Sequence, residues 1–277
     1  YYPNNSDLGR FSAYDKDTNN WFLGREKTAA ELLRRPWIAG AFQWSGIEHR
    51  GETVWPRLCS ASGAVDLFLN KKDAFYQNKS FWTEEPMVHI MPHWNMPECI
   101  GEEIRVVVYS NCETAELFQD GRSLGKRTLG PVSHAEWQVV YKPGKITVVG
   151  EKNGVTVSET VETTDPAAEL RLTAVSENPK SGKRDAVLVS CYCADEKGRS
   201  VPDASPEISF FCDDNSVARV AGTGSDNCDC VPPSSKKRKM WAGLCSVLLE
   251  TTGKKGSITL YAKADGLKPT SLKISVE

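Results

Sequence analysis

"AEWQVVYKPGKITVVGEKNGVTVSETVET", residues 135–163, alternates apolar and polar side chains and is broken by Pro-Gly at 143–144 and Asn-Gly at 153–154. Alternation with period two sends one set of side chains to one face of a strand, and such dipeptides read as hairpin turns. Upstream, "EEIRVVVYSN" (102–111) and "TAELFQDGRSLGKRT" (114–128) have the same texture around an Asp-Gly turn. Residues 86–165 therefore read as an immunoglobulin-like β-sandwich. A break at "TTDPAAE" (163–169) opens a second all-β stretch, 166–277, with "EKG", "TGKKG" and "ADG" as turns, so a second such sandwich is expected.

Residues 1–85 differ in character and hold five of the eight tryptophans. "TAAE" (28–31) reads as a capping box with Thr28 at the N-cap, and Pro36 stops the helix after "LLRR". The run from Trp37 to Trp44 is apolar without alternation, as in a strand covered on both faces of a parallel sheet. That strand would be covered in this chain through Trp82 and the 86–94 stretch, or by a second chain. "KKDAFYQNKSFW" (71–82) supplies a second helix, with Ala74, Phe75, Asn78 and Phe81 to Trp82 on its apolar side.

The 277 residues carry 34 basic and 36 acidic side chains, a net charge of -2, so no global field draws the chain to nucleic acid or an anionic membrane. No apolar run approaches the roughly 20 residues that span a bilayer. The chain opens on polar "YYPNNSDLGR", which reads as a start inside mature sequence, and a periplasmic or secreted location is favoured over a cytoplasmic one. The nine cysteines fall largely on apolar strand faces, such as Cys191 and Cys193 beyond Val187 and Val189, and are expected in the core, with cross-strand disulfides as the competing reading.

Glu48 and Glu52 lie just beyond the apolar run, where paired carboxylates could serve glycoside hydrolysis or simply hold a loop. Trp44 offers a flat face for a pyranose or packs in a core. His89 and His93 lie four residues apart, about 13 Å along a strand, too far to share a metal, and read as structural. "SSKKRKM" (234–240) reads as a solvated basic loop, and Asp226, Asn227 and Asp229 in "GSDNCD", like "CDC" at 228–230, lack the spacing of a calcium or zinc site.

"RPWIAGAFQWSGIEHRGE" (35–52), "WPRLCSASGAVDLFLNKKDAFYQNKSFW" (55–82), "HIMPHWN" (89–95) and "VVVYSNCETAELFQDGRSLG" (106–125) resemble, in this order, the end of the catalytic barrel and the following sandwich of glycoside hydrolase family 2. "AGTGSDN" (221–227) and "RKMWAGLCSVLLE" (238–250) resemble the last sandwich of its β-galactosidase branch. The resemblance implies a mainly β chain in which 1–85 is the truncated end of a (β/α)8 barrel ahead of the two sandwiches. It implies a parent that cleaves terminal β-glycosides, most of all β-galactosides, with retention. Phe42 and Trp44 match the family's Phe-x-Trp, which makes Trp44 a sugar contact and suggests a cis peptide from Trp44 to Ser45. Glu48 and His49 depart from the family's Asp-Tyr, which places Glu48 at the substrate rim. The family's catalytic glutamates precede "SAYD" (12–15), so no residue here is expected to be catalytic and the chain alone is expected to be inactive. The implied partner is a carbohydrate, without cofactor, metal, nucleic acid or membrane, and a homo-oligomer is among the expectations. The alternative is a non-catalytic, carbohydrate-binding or adhesive tandem of sandwiches.

Overall fold

Where Asp120-Gly121 and Asn153-Gly154 stand, both residues of each pair take positive φ, and each pair closes a hairpin in which the chain reverses onto itself. The computed structural model describes residues 24–52, 55, 58–60, 62–175, 179–182, 184–225 and 230–277. The chain forms two compact units that meet in sequence between Thr163 and Thr164.

The first unit begins with helices α1 (Arg25–Arg34) and α2 (Asp73–Trp82). Seven strands come after them: β1 (Val88–Met91), β2 (Glu103–Ser110), β3 (Thr114–Gln119), β4 (Arg122–Thr128), β5 (His134–Val140), β6 (Lys145–Lys152) and β7 (Val155–Glu162). They make two antiparallel sheets, β1-β2-β5 and β4-β3-β6-β7. Val106, Val108, Leu117, Trp137, Ile146 and Val148 fill the space between them. The stretch expected to alternate, 135–163, is thus three strands, but Pro143-Gly144 carries the chain from one sheet to the other instead of closing a hairpin. In β2 the alternation fails because both faces are covered: Val107 and Tyr109, opposite to Val106 and Val108, are equally buried, on the side where α2 packs.

The second unit contains β8 (Glu169–Ala174), β9 (Ala186–Ala194), β10 (Glu207–Cys212), β11 (Ala218–Gly224), β12 (Lys237–Lys239), β13 (Leu244–Thr251), β14 (Gly256–Lys263) and β15 (Thr270–Val276). Its sheets are β11-β13-β9-β8 and β12-β10-β14-β15, the strand order of an immunoglobulin-type sandwich with β12 added at one edge. Cys191, Cys193 and Cys245 lie in its core as thiols. Burial pushes the Cys193 thiol up to about 12 and that of Cys212 to about 11, so both behave as small apolar side chains. The chain is therefore mainly β, as expected.

Three local expectations change. Helix α1 starts a turn before "TAAE", with Gly24 as N-cap accepting the Thr28 amide, so Thr28 lies inside the helix and forms no capping box. "KKRK" is no loop: β12 exposes Lys237 and Lys239 but buries Arg238, whose guanidinium donates to the carbonyls of Thr223, Val231 and Pro232. Asp226, Asn227, Cys228 and Asp229 lie outside the described residues, as does "SAYD". Among the described residues no helix is long and apolar enough to cross a membrane.

Candidate functional site

The run from Trp37 to Trp44 is not a buried strand. It has no regular structure, and Trp37, Ile38, Phe42 and Trp44 are all exposed. Trp82, expected to cover it, is itself exposed, because α2 turns Ala74, Gln77 and Asn78 inward instead. An apolar run specifies burial, but among the described residues no strand lies beside this one to receive its backbone hydrogen bonds. With Ile47 and Trp55, six large apolar side chains among the described residues between 37 and 55 face solvent.

The segment beyond Trp44 is held firmly. The peptide from Trp44 to Ser45 is cis, as the resemblance suggested. Residues 45–50 then run beside 58–60 and 62–65: the Ser60 amide donates to His49 O (2.8 Å), Val65 N–H to Gly46 O (3.0 Å) and Glu48 N–H to Val65 O (3.0 Å). Gly63 lies so close that a Cβ on it would meet the Glu48 nitrogen at 2.3 Å and the Val65 oxygen at 2.5 Å. Asp66 closes the next turn by accepting the amides of Phe68 and Asn70, both at 2.8 Å. Lys72 stands at the N-cap of α2.

Glu48, expected at the sugar, is turned inward. It is only 5% exposed, and its Oε1 lies 2.6 Å from the buried Lys72 ammonium. The pair fastens the loop after Trp44 to the start of α2.

Sequence reasoning missed the group that does face solvent beside Trp44. The His49 ring stands edge-on to the indole, with centroids 5.4 Å apart at 75°. Its Nε2 lies 3.1 Å from Glu52 Oε2 and its Nδ1 3.0 Å from the buried Ser60 Oγ. That hydroxyl already accepts from the His49 amide and from Ser62 Oγ, so its own proton goes to Nδ1. The network thereby assigns the His49 proton to Nε2, which donates to Glu52. The exposed Trp44 face thus has an oriented imidazole and a carboxylate at its edge, a combination suited to stacking a sugar ring and bonding its hydroxyls.

Helix α2 is anchored by His89 on β1. The His89 Nε2 lies 2.9 Å from Asp73 Oδ1, its Nδ1 3.3 Å from Glu159 Oε1 on β7, and its ring stacks on Tyr76 at 3.8 Å. Burial pulls its pKa down, but the hydrogen bonds to Asp73 and Glu159 outweigh it and raise it to about 9, so the ring is a cation at neutral pH. His93 is held neutral, its pKa lowered to about 3 by burial, and its Nδ1 accepts the Asn95 amide at 3.1 Å. The two histidines have separate structural partners, and no group of three metal-ligating side chains gathers among the described residues.

The chain is thus two antiparallel β-sandwich units, the first of them preceded by an aromatic, polar-rimmed loop. Residues 101–158 match the model of a domain of unknown function (DUF4982), and residues 170–273 match "Glycoside hydrolase family 2 C-terminal domain 5". The chain is 32% identical over 96% of its length to a β-galactosidase, BoGH2A, of Bacteroides ovatus, and 30% identical over 77% of its length to a putative β-glucuronidase of Formosa agariphila. It covers 32% of the first protein and 21% of the second. A β-glycosidase structure from Bacteroides vulgatus superposes with a TM-score of 0.85 at 31% identity, over 92% of this chain and 33% of that one. The chain belongs to glycoside hydrolase family 2, to its C-terminal part. It spans about a third of the length of the B. ovatus and B. vulgatus proteins.

Proposed function

We propose that this chain is the C-terminal part of a retaining β-glycosidase that removes terminal β-linked sugars, most of all galactose. In it, residues 1–85 close a (β/α)8 barrel, and residues 86–165 and 166–277 form two sandwiches beyond it. The observation that carries this reading is the exposed indole of Trp44 beside an oriented His49–Glu52 pair, within a segment whose apolar side chains face solvent. Its support outside the chain is the likeness to a β-galactosidase and to a putative β-glucuronidase.

In such an enzyme one carboxylic acid protonates the leaving oxygen, and a carboxylate about 5–5.5 Å from it attacks the anomeric carbon. Trp44 would form the floor under the sugar ring, and the flattened ring of the oxocarbenium-like transition state would lie against the same face. His49 and Glu52 would bond sugar hydroxyls at the rim, with Ser60 fixing the imidazole. Glu48 would act through Lys72, by holding the loop in place. In this reading neither local glutamate is the nucleophile: Glu48 is buried against Lys72, and Glu52 lies beside His49 at the rim. The chain by itself is therefore expected to be inactive. The test is release of nitrophenol from a panel of β-glycosides by the 277-residue chain: no turnover is expected, and turnover abolished by Glu52→Gln or Glu48→Gln would overturn the assignment.

A further inference from the structure

On the outer face of the β12-β10-β14-β15 sheet, away from the core, Phe211 of β10 and Tyr261 of β14 stand directly opposite each other. Their rings stack with centroids 5.0 Å apart and planes 8° apart. The Lys263 ammonium lies 5.0 Å from the centre of the Phe211 ring. On the other side of Tyr261 the registered neighbour, on edge strand β15, is only Ser271, so the lane beside that ring is lined by a small hydroxylated side chain. Lys273 stands two residues along the same face of β15, opposite Thr259. Neighbours on one face of a strand are about 6.6 Å apart, so Lys263 and Lys273 bracket the aromatic row from its two sides.

The charge of this face runs against that of the protein. Period-two alternation places Lys237, Lys239, Lys263 and Lys273 on it, against the carboxylates of Glu207 and Asp213. Glu207 is already engaged by Lys237 at 3.7 Å, and Asp213 by the Thr259 amide at 2.8 Å. A chain with a net charge of -2 therefore presents a locally cationic, aromatic sheet face in its second unit. An exposed ring face with hydroxyls beside it suits the apolar side of a pyranose, and ammonium groups to either side suit carboxylate or sulfate substituents.

We propose that this sheet face binds an anionic polysaccharide: a sugar ring stacks on Tyr261 above Ser271, and its acidic groups pair with Lys263 and Lys273. This surface belongs to the second unit, and its role does not depend on the catalytic reading of Trp44. The test is gel retardation of the full 277-residue chain in polygalacturonate, which carries carboxylates, in dextran sulfate, which carries sulfates, and in neutral dextran. Retardation in at least one anionic gel and not in dextran is expected, and the gel that retards identifies the acidic group. Lys263→Gln/Lys273→Gln should weaken it at least fivefold, whereas Lys126→Gln/Lys145→Gln, an equal loss of charge in the first unit, should not. Ser271→Glu fills the lane from an exposed edge position without disturbing the stacked pair, and should abolish retardation; Tyr261→Ala should do the same. No retardation in either anionic gel, equal loss in the two lysine doubles, or unchanged retardation of Ser271→Glu would each overturn the proposal.

Discussion

Replacing Lys72 by Met should loosen the loop that carries Trp44 without unfolding the sandwich. The Lys72 and Glu48 side chains are 6% and 4% exposed, and their charged atoms lie 2.6 Å apart. At an effective dielectric of about 20 that separation is worth ~6 kcal/mol of attraction, against which stands a desolvation cost of several kcal/mol for each ion. The intact pair is thus near balance, but its rupture is not: a buried carboxylate that loses its ammonium partner costs about 3–5 kcal/mol. Amide hydrogen exchange reads such a local opening. The Glu48 amide, bonded to Val65 O, and the Ser60 amide, bonded to His49 O, should exchange roughly 100-fold to several thousand-fold faster in Lys72→Met, since each 1.4 kcal/mol is a factor of ten. Amides of β2 and β6 should keep their protection. The double variant Glu48→Leu/Lys72→Met should recover most of the loss, because it buries no charge. Exchange within threefold of the parent in Lys72→Met would refute the idea that this pair fastens the loop.

Gly63→Ala should cost the 45–65 region about 1–3 kcal/mol, seen as lost exchange protection there, because the new methyl meets main-chain atoms that cannot step aside. Arg238→Met should destabilise the second unit by ~3 kcal/mol in urea unfolding, since three carbonyls lose a charged donor in the interior. The stability of the first unit should pass through a maximum near pH 6.5, measured by thermal unfolding observed through Trp94 and Trp137. His89 is raised from 6.5 to about 9, so its contribution, ~3 kcal/mol, is complete below 6.5 and lost as pH climbs through 9. His93 is lowered to about 3, so its neutral form stabilises above 6.5 and that stability is lost as pH falls toward 3. His89→Gln should reduce the alkaline limb and leave the part due to His134, whose pKa is raised chiefly by its hydrogen bond to Glu26.

The β-strands and most of their turns were legible because their causes are local. Asn153-Gly154 accepts the positive φ that a tight hairpin requires, and the alternation of β9 through Cys191 and Cys193 is the pattern of a half-buried strand. Other features depend on partners distant in sequence. Pro143-Gly144 looks like any hairpin turn, yet whether the chain pairs back or crosses to the facing sheet is decided by the strands around it. The run from Trp37 to Trp44 advertises burial but does not contain its neighbour. Glu48 looked like a rim residue because its pairing with Lys72, 24 residues away, has no local trace. His49 carried one clue, its departure from the family's Tyr, but only the fold brings Ser60 and Glu52 to its two nitrogens.

The exposed face of Trp44 is central to the proposed activity, as a sugar contact. Titration of the 277-residue chain with methyl β-galactoside, observed through the indole N–H resonances, tests it on the protein as it stands. With Trp44→Phe to assign the signal, the Trp44 resonance should shift with an apparent affinity on the order of tens of millimolar, as a single stacking surface allows. The resonances of buried Trp94 and Trp137 should stay in place. A Trp44 signal unmoved at saturating sugar, or moved equally by a non-sugar polyol, would contradict the claim.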